Sequence, residues 1–494
     1  MRVERRIVLL LIALLVCPAS VARADDRPNI VVILADDAGH ADFGFTGGTV
    51  VPTPNIDAIA QGGVALTQFY TTASVCSPSR AGFLTGRYQQ RFGHHSNLTG
   101  RAARRGLGLP LSEVTVADHL RARGYTTGII GKWHLGETDE LLPTRRGFDV
   151  FEGLPGGSRT YEPIEGDDPV RTMRRESRHA DGSVTSVRID EPELDQNREK
   201  GFYVTDWIGD RAAHFVNDHA GDDRPFFLFV SFTAPHTPLE ARPTDLDAVA
   251  GIEPENRRVY AAMMRSLDRA VGEITDALDE TGAADNTLLM FFNDNGGATN
   301  NGSDNGRFRG MKGSKWEGGV RVPAAIRWPG TVTPGRRFTP VVSSMDFTAT
   351  AVAVAGGPIE SAAPLDGRDL RPTLERAAGG AAGGSTARPI ADDAVHPALF
   401  WERGPAAALR AGPWKIITTP GREPLLYHIP ADPGETTDLA DERPDIVDGY
   451  LNLLTAWRSE MVAPLWTEGE RWERNQLHKH DPDVLGRDAE RAYP

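Results

Sequence analysis

The residues that most restrict the fold are Asn29-Ile30-Val31-Val32-Ile33-Leu34-Ala35, a β-branched run with no polar interruption after its first residue. A strand with one solvated face alternates apolar and polar side chains, whereas a run this uniform is covered on both faces. It predicts a buried central strand. Comparable runs follow at Thr126 to Ile130, Phe226 to Phe232 and Leu288 to Phe292. Between them lie stretches with helical spacing: Asn55 to Gln61, Val116 to Arg123, Tyr203 to Asp218, and Arg257 to Glu280 with Gly282 beyond its end. Buried strands alternating with helices specify an α/β sheet with helices on both faces.

Other segments read differently. Residues 155–200 are rich in charge, Gly and Pro with little periodicity, as expected of a long surface insertion. The Gly/Ala-rich stretch from Glu375 to Ser385 predicts a linker or long loop over 376–395. Beyond it, Ala398 to Trp401, Ala408 to Arg410, Trp414 to Thr418 and Leu425 to Ile429 read as short antiparallel strands, and Arg443 to Ala456 as a helix. The division expected is therefore a large α/β body over 25–375 and a small C-terminal α+β unit over 396–494.

At the N-terminus, Arg2, Arg5 and Arg6 precede the apolar run Ile7 to Val16 and then Ala22-Arg23-Ala24, the order of a secretory leader over 1–24 with an A-x-A cleavage site. The run is too short to cross a membrane, so no transmembrane segment is expected in the mature chain. The expected location is outside the cytoplasm, periplasmic or secreted. The chain has two cysteines, Cys17 and Cys76, which excludes a disulfide framework. Cleavage removes Cys17, whose neighbours lack the small residues expected beside a lipidated cysteine, and leaves Cys76. The 25% charged residues carry a net charge of −14, which argues against a nucleic-acid partner.

Several of these strands run into residues that do chemistry, and ligands of open α/β sheets sit beyond the carboxyl ends of the strands. The first runs into Asp36-Asp37 and the Leu288 run into Asp294-Asn295-Gly296. Together the two pairs would supply hard oxygen ligands for Ca²⁺ or Mg²⁺, although either pair alone could be a helix cap or a solvated turn. Cys76-Ser77-Pro78-Ser79-Arg80 precedes a short helix that could start around Pro78, which places Cys76 at a helix N-terminus favourable to an oxyanion, with Arg80 adding charge. From spacing alone an inert buried thiol is an equal reading. Lys132 and His134 follow the Thr126 run, His236 follows the Phe226 run, and Lys312 lies in Met311-Lys312-Gly313-Ser314-Lys315-Trp316. Two histidines and two lysines beside a metal pair suit transfer of a sulfuryl or phosphoryl group.

Cys76-x-Pro78-x-Arg80 with Thr85-Gly86-Arg87 downstream resembles the signature of the type I, formylglycine-dependent sulfatases. Asp36-Asp37, Gly131-Lys132-Trp133-His134, Pro235-His236, Asp294-Asn295-Gly296 and Lys312 through Gly319 occur in that family's order, and the resemblance extends to Trp414-Lys415 and Leu426-Tyr427 with Asp432-Pro433 and Glu435. It implies an alkaline phosphatase-like fold, a large mixed and mostly parallel sheet flanked by helices, with a small C-terminal α+β domain. It implies one Ca²⁺ held by Asp36, Asp37, Asp294, Asn295 and an oxygen at position 76. It also implies a maturation enzyme that oxidises Cys76 to formylglycine (3-oxoalanine), whose hydrate attacks sulfur. Arg80, Lys132 and Lys312 would neutralise the sulfate oxygens, His236 assisted by Lys312 would protonate the leaving alcohol, and His134 would take a proton from the second hydroxyl.

The substrate this implies is an O-sulfated molecule, more readily a carbohydrate or polysaccharide fragment than a steroid. Two rival readings belong beside it: a phosphonate or phosphate monoester hydrolase of the same superfamily, and a non-catalytic protein that binds sulfated glycans. Trp401, Glu402, Arg403 and Arg410 could reach the pocket from the C-terminal unit or form a domain interface.

Overall fold

The structure is a computed structural model that describes residues 26–162, 172–189, 202–357, 364–379 and 395–480. The leader expected over 1–24, Cys17, and residues 380–394 of the expected linker lie outside the described residues; the linker's first residues, 376–379, instead end the helix Arg371–Gly379. Twelve of the strands belong to the large α/β body: β1 (Asn29–Ala35), β2 (Val64–Leu66), β3 (Phe69–Tyr70), β4 (Thr126–Lys132), β5 (Val150–Leu154), β6 (Arg174–Arg178), β7 (Val184–Arg188), β8 (Phe226–Ser231), β9 (Thr287–Asn293), β10 (Ala324–Arg327), β11 (Arg336–Phe338) and β12 (Val342–Ser343). Ten form one sheet in the order β11-β2-β10-β9-β1-β8-β4-β5-β6-β7, while β3 and β12 pair separately. The neighbours β9, β1, β8, β4 and β5 are parallel, and β10 and β6 join this block antiparallel on either side. The sheet is therefore mixed and mostly parallel, as the uniform apolar runs require.

The side chains of β1 alternate between two cores. Val31 and Ile33 belong to a cluster with Tyr260, Met264 and Leu267 of the helix Glu255–Glu280, while Ile30, Val32 and Leu34 belong to one with Phe83, Phe229 and Phe347 on the opposite face. Both faces of the strand are thus buried by helices.

Two further expectations need correction. The 155–200 segment is not an irregular insertion throughout: β6 and β7 form a hairpin that extends the main sheet. Met173-Arg174-Arg175-Glu176-Ser177-Arg178 shows no apolar alternation because its strand is recruited by the open edge of β5, and β7, the outer strand, stays mostly exposed with a charged end that discourages further pairing. The helix expected near Pro78 begins two residues earlier, at Cys76, and runs to Thr85 with Val75 as its cap. Pro78 sits in the first turn, where its missing N–H leaves no hydrogen bond unmade.

The C-terminal strands β13 (Leu399–Arg403), β14 (Ala406–Ala411), β15 (Trp414–Thr418) and β16 (Leu425–His428) form an antiparallel meander. One face, with Ala407, Leu409 and Ile416, packs under Leu454 and Trp457 of the helix Pro444–Arg458. The other face, with Trp401, Ala408 and Ile417, shares a core with Tyr70, Trp316 and Val320 of the α/β body. Trp401, Arg403 and Arg410 serve this contact: Trp401 Nε1 donates to Thr71 O at 2.7 Å, Arg403 O accepts from Lys315 Nζ at 3.1 Å, and Arg410 lies 3.9 Å from Glu317, while the Arg403 side chain pairs within the C-terminal unit with Glu468.

At the centre of this contact Lys415 Nζ lies 2.9 Å from both Glu317 Oε1 and Glu435 Oε1, with all three side chains fully buried. Burial, only partly offset by Lys415, pushes the Glu435 carboxyl up to about 7. Lys415→Met removes the cation between the two carboxyl groups, leaving Glu435 facing a Glu317 whose remaining cations are Arg321 at 3.2 Å and Arg410 at 3.9 Å, and should lower stability by about 3–5 kcal/mol, read as a shift in the urea midpoint.

Candidate active site

Register brings the chemistry together. Ala35 of β1 is paired with Asn293 of β9, and Asp294 N donates to Ala35 O at 3.1 Å, so Asp36 and Asp294 leave the sheet side by side. On the other flank Leu34 is level with Ser231 of β8, which is level with Gly131 of β4. Four adjacent parallel strands thus deliver Asp294 and Asn295, Asp36 and Asp37, His236, and Lys132 and His134 to one edge. Asp37 takes a left-handed backbone with φ of 70°, which Asp tolerates better than most residues and which turns its carboxylate back toward the cluster.

The helix Cys76–Thr85 points its N-terminus into this edge. Cys76 is buried, with Sγ 3.5 Å from Asp36 Oδ1, and burial together with Asp36 pushes its thiol far above the ordinary range. The helix comes this close because Gly82 has no side chain; a Cβ there would lie 2.2 Å from Thr72 Oγ1. One turn on, Arg80 donates from Nε to Asp294 Oδ2 at 3.0 Å and from Nη1 to Lys132 O at 3.2 Å, and its Nη2 lies 3.6 Å from Asp36.

Cations and anions interleave around the thiol. Lys132 Nζ pairs with Asp36, and Lys312 Nζ lies 2.7 Å from Asp37 Oδ2. Burial opposes ionisation of Asp36, but Lys132, His236 and Arg80 overcome it and hold the carboxyl well below its usual range. His236 Nε2 lies 3.6 Å from Asp37 Oδ2, and burial and Lys312 lower its pKa. His134 is fixed differently: its φ is 63°, a strained conformation for a non-glycine residue, and its Nε2 contacts Leu98 O at 3.2 Å. Burial, Lys132 and Arg80 keep this imidazole neutral, and with Nε2 donating to the carbonyl its buried Nδ1, which has no hydrogen-bond partner, is an acceptor.

The donor set fits a divalent cation. Ligand atoms of Asp36, Asp37, Cys76 and His236 all lie within 4.8 Å of one another. Asp294 Oδ1 and Asn295 Oδ1 are buried without hydrogen-bond partners, while Asn295 Nδ2 donates to Asp37 Oδ1 at 2.8 Å and so turns its carbonyl away from that contact. Burial and Asp36 push the Asp294 carboxyl up to about 7, as happens when carboxylates crowd at a place where a cation would hold them ionised. Carboxylate and amide oxygens in this number suit Ca²⁺ or Mg²⁺. His236 joins this group through geometry, which its sequence position did not suggest; its Nδ1 is 2.7 Å from Thr237 O, leaving Nε2 toward the acidic pair.

The structure brings every expected site residue to this edge and adds others. Ser77 Oγ donates to His134 O at 2.8 Å and lies 2.6 Å from His94 Nε2, and Ser231 Oγ accepts from Arg80. These partners act through backbone carbonyls or through strands paired far apart in the chain, and no spacing pattern marks them.

The family model described as Sulfatase matches residues 28–357. The chain belongs to the sulfatase family. This sulfatase is 34% identical to arylsulfatase A of Homo sapiens over 446 residues, which span 83% of each chain. It is 32% identical to steryl-sulfatase of Mus musculus over 522 residues, covering 86% of this chain and 80% of that one. Among solved structures, Ps i-CgsB in complex with k-i-k-neocarrahexaose superposes with a TM-score of 0.78 at 30% identity, covering 92% of this chain and 98% of that one. The fold is the one expected, and the activity is that of a sulfuric ester hydrolase. Among the described residues no helix is long and apolar enough to cross a membrane.

Proposed function

We propose that this sulfatase releases sulfate from an O-sulfated carbohydrate, using one calcium ion and a formylglycine made from Cys76. The observation that carries the reading is the convergence of Arg80, Lys132 and Lys312 with three aspartates on the buried N-terminal turn that holds Cys76. Asp36, Asp37, Asp294 and Asn295 would hold the calcium, which offsets negative charge on the sulfate. Formylglycine, produced by a dedicated maturation enzyme, supplies a hydroxyl nucleophile where the buried thiol is a poor one.

The chain's own residues do the rest. Arg80, Lys132 and Lys312 are fixed by ion pairs before substrate arrives, so their charge stabilises the developing sulfate charge without reorganisation. His236 stands next to Lys312 and donates a proton to the departing alcohol; an arriving sulfate raises its proton affinity against the effect of burial and Lys312. His134, neutral and with Nδ1 as acceptor, takes a proton as sulfate is expelled. Similarity to a protein crystallised with a neocarrahexaose supports a sulfated polysaccharide fragment as substrate. The leader over 1–24 would place the enzyme in the periplasm or outside the cell, with 25–375 as catalytic domain, 376–395 as linker and 396–494 as C-terminal domain.

Two measurements test this. Sulfate release from a panel of defined sulfated oligosaccharides should identify a carbohydrate substrate; a strong preference for aryl phosphate over aryl sulfate would overturn the reading. His236→Ala and His134→Ala should each lower kcat by about 10²–10⁴-fold. The loss in His236→Ala should grow as the leaving alcohol becomes less acidic, whereas that in His134→Ala should not depend on the leaving group.

A further inference from the structure

The loop that carries Lys312 is held from two sides. From the catalytic body, Lys312 N donates to Gly297 O at 3.0 Å and Gly313 N to Ser74 O at 2.7 Å. On the opposite side it meets the segment that follows the helix Glu470–His478. Lys479 Nζ donates to Lys312 O at 2.6 Å, and Trp316 Nε1 donates to Lys479 O at 2.9 Å. Lys315 N donates to His480 Nε2 at 2.8 Å, and Lys315 Nζ to Gln476 Oε1 at 3.2 Å. His480 can accept because its Nδ1 lies 2.6 Å from Gln476 O and carries the proton, and because burial and Lys315 keep the ring neutral. Gly313, with φ of 86°, lets the segment close in: a Cβ there would lie 2.8 Å from Lys479 Nζ.

Four hydrogen bonds thus tie residues 476–480 to residues 312–316, and one of them falls on the carbonyl of Lys312 itself. The Lys312 ammonium is 2.7 Å from Asp37, so a shift of its backbone moves the charge relative to the acidic pair and to His236. We propose that Lys479 is a positioning residue that sets the Lys312 ammonium for leaving-group protonation, making the C-terminal segment part of the active-site construction. The inference rests on the role proposed above for Lys312.

The test uses matured, calcium-loaded enzyme. Lys479→Met keeps the aliphatic stem and removes the donor. It should lower kcat by about 10–100-fold on an alkyl sulfate, the cost of a misplaced catalytic group, and by less than about threefold on 4-nitrophenyl sulfate, whose leaving group needs little protonation. KM should change little, Lys479→Arg should restore most of the loss, and in a Lys312→Ala background Lys479→Met should have no further effect. Should Lys479→Met not fold, Trp316→Phe removes the bond to Lys479 O and should show a smaller loss with the same dependence on leaving group. Equal losses on both substrates, or the same fold loss with and without Lys312, would overturn the inference. An unimpaired Lys312→Ala enzyme would overturn the role of Lys312 and this inference with it.

Discussion

Alanine at position 76 should abolish sulfate release, lowering kcat/KM on the order of 10⁶-fold, the loss expected when a covalent nucleophile is removed. Stability should fall by only about 1 kcal/mol, because one buried sulfur leaves a small cavity in a helix otherwise held by its neighbours. The protein without its nucleophile should therefore purify as a folded chain. The thiol itself should be no better: burial and the Asp36 carboxylate push it far above the range in which a thiolate forms at neutral pH. Wild-type chain produced without the maturation enzyme should consequently match Cys76→Ala in activity, and coexpression of that enzyme should restore turnover in proportion to the aldehyde seen by mass spectrometry of the position-76 peptide. Cleavage of the proposed leader would also remove Cys17, in which case fully matured protein should not react with thiol reagents even when denatured. Substantial activity in Cys76→Ala, or in chain whose peptide is entirely thiol, would refute both the nucleophile and the modification.

The central strands and the acidic pairs at their ends were legible in sequence because they obey local rules. An uninterrupted apolar run such as Phe226 to Phe232 states its own burial, and Asp36-Asp37 and Asp294-Asn295 directly follow such runs. What the sequence does not carry is the register of Ala35 against Asn293, which depends on residues more than 250 positions apart and alone makes one site of two pairs. Pro78 misled the helix start because Pro favours the first helical position, yet it occupies a later place in the same first turn. The β6–β7 hairpin was illegible because charged residues form a strand there only when the edge of β5 offers hydrogen bonds. Ser77, His94 and Lys479 left no trace, since each acts on a backbone carbonyl or a partner distant in sequence.

Asp36→Asn should be the most damaging isosteric change at the acidic edge, and its contrast with Asp294→Asn separates ion pairing from metal binding. Asp36 is the counter-charge of Lys132 and lies 3.6 Å from Arg80, both fully buried, and these cations hold it ionised. An amide there leaves two buried cations short of an anion, at a cost of about 3–5 kcal/mol. Asp294 differs, because burial and Asp36 push its carboxyl up to about 7, so at pH 6 and without metal it is already largely protonated and an amide replaces a neutral group. In chelator at pH 6, Asp36→Asn should melt well below wild type and Asp294→Asn close to it. Calcium should then discriminate the other way. Wild type should gain about 2.7 kcal/mol when free calcium reaches 100 times its Kd, and both variants should lose most of that gain, since each removes a charged oxygen ligand. Activity should fall by at least about 10³-fold in both, as expected when electrostatic stabilisation of the transferring group is lost. An Asp36→Asn protein with wild-type melting in chelator would mean that Lys132 and Arg80 do not depend on it, and a full calcium response in either variant would remove that residue from the metal site.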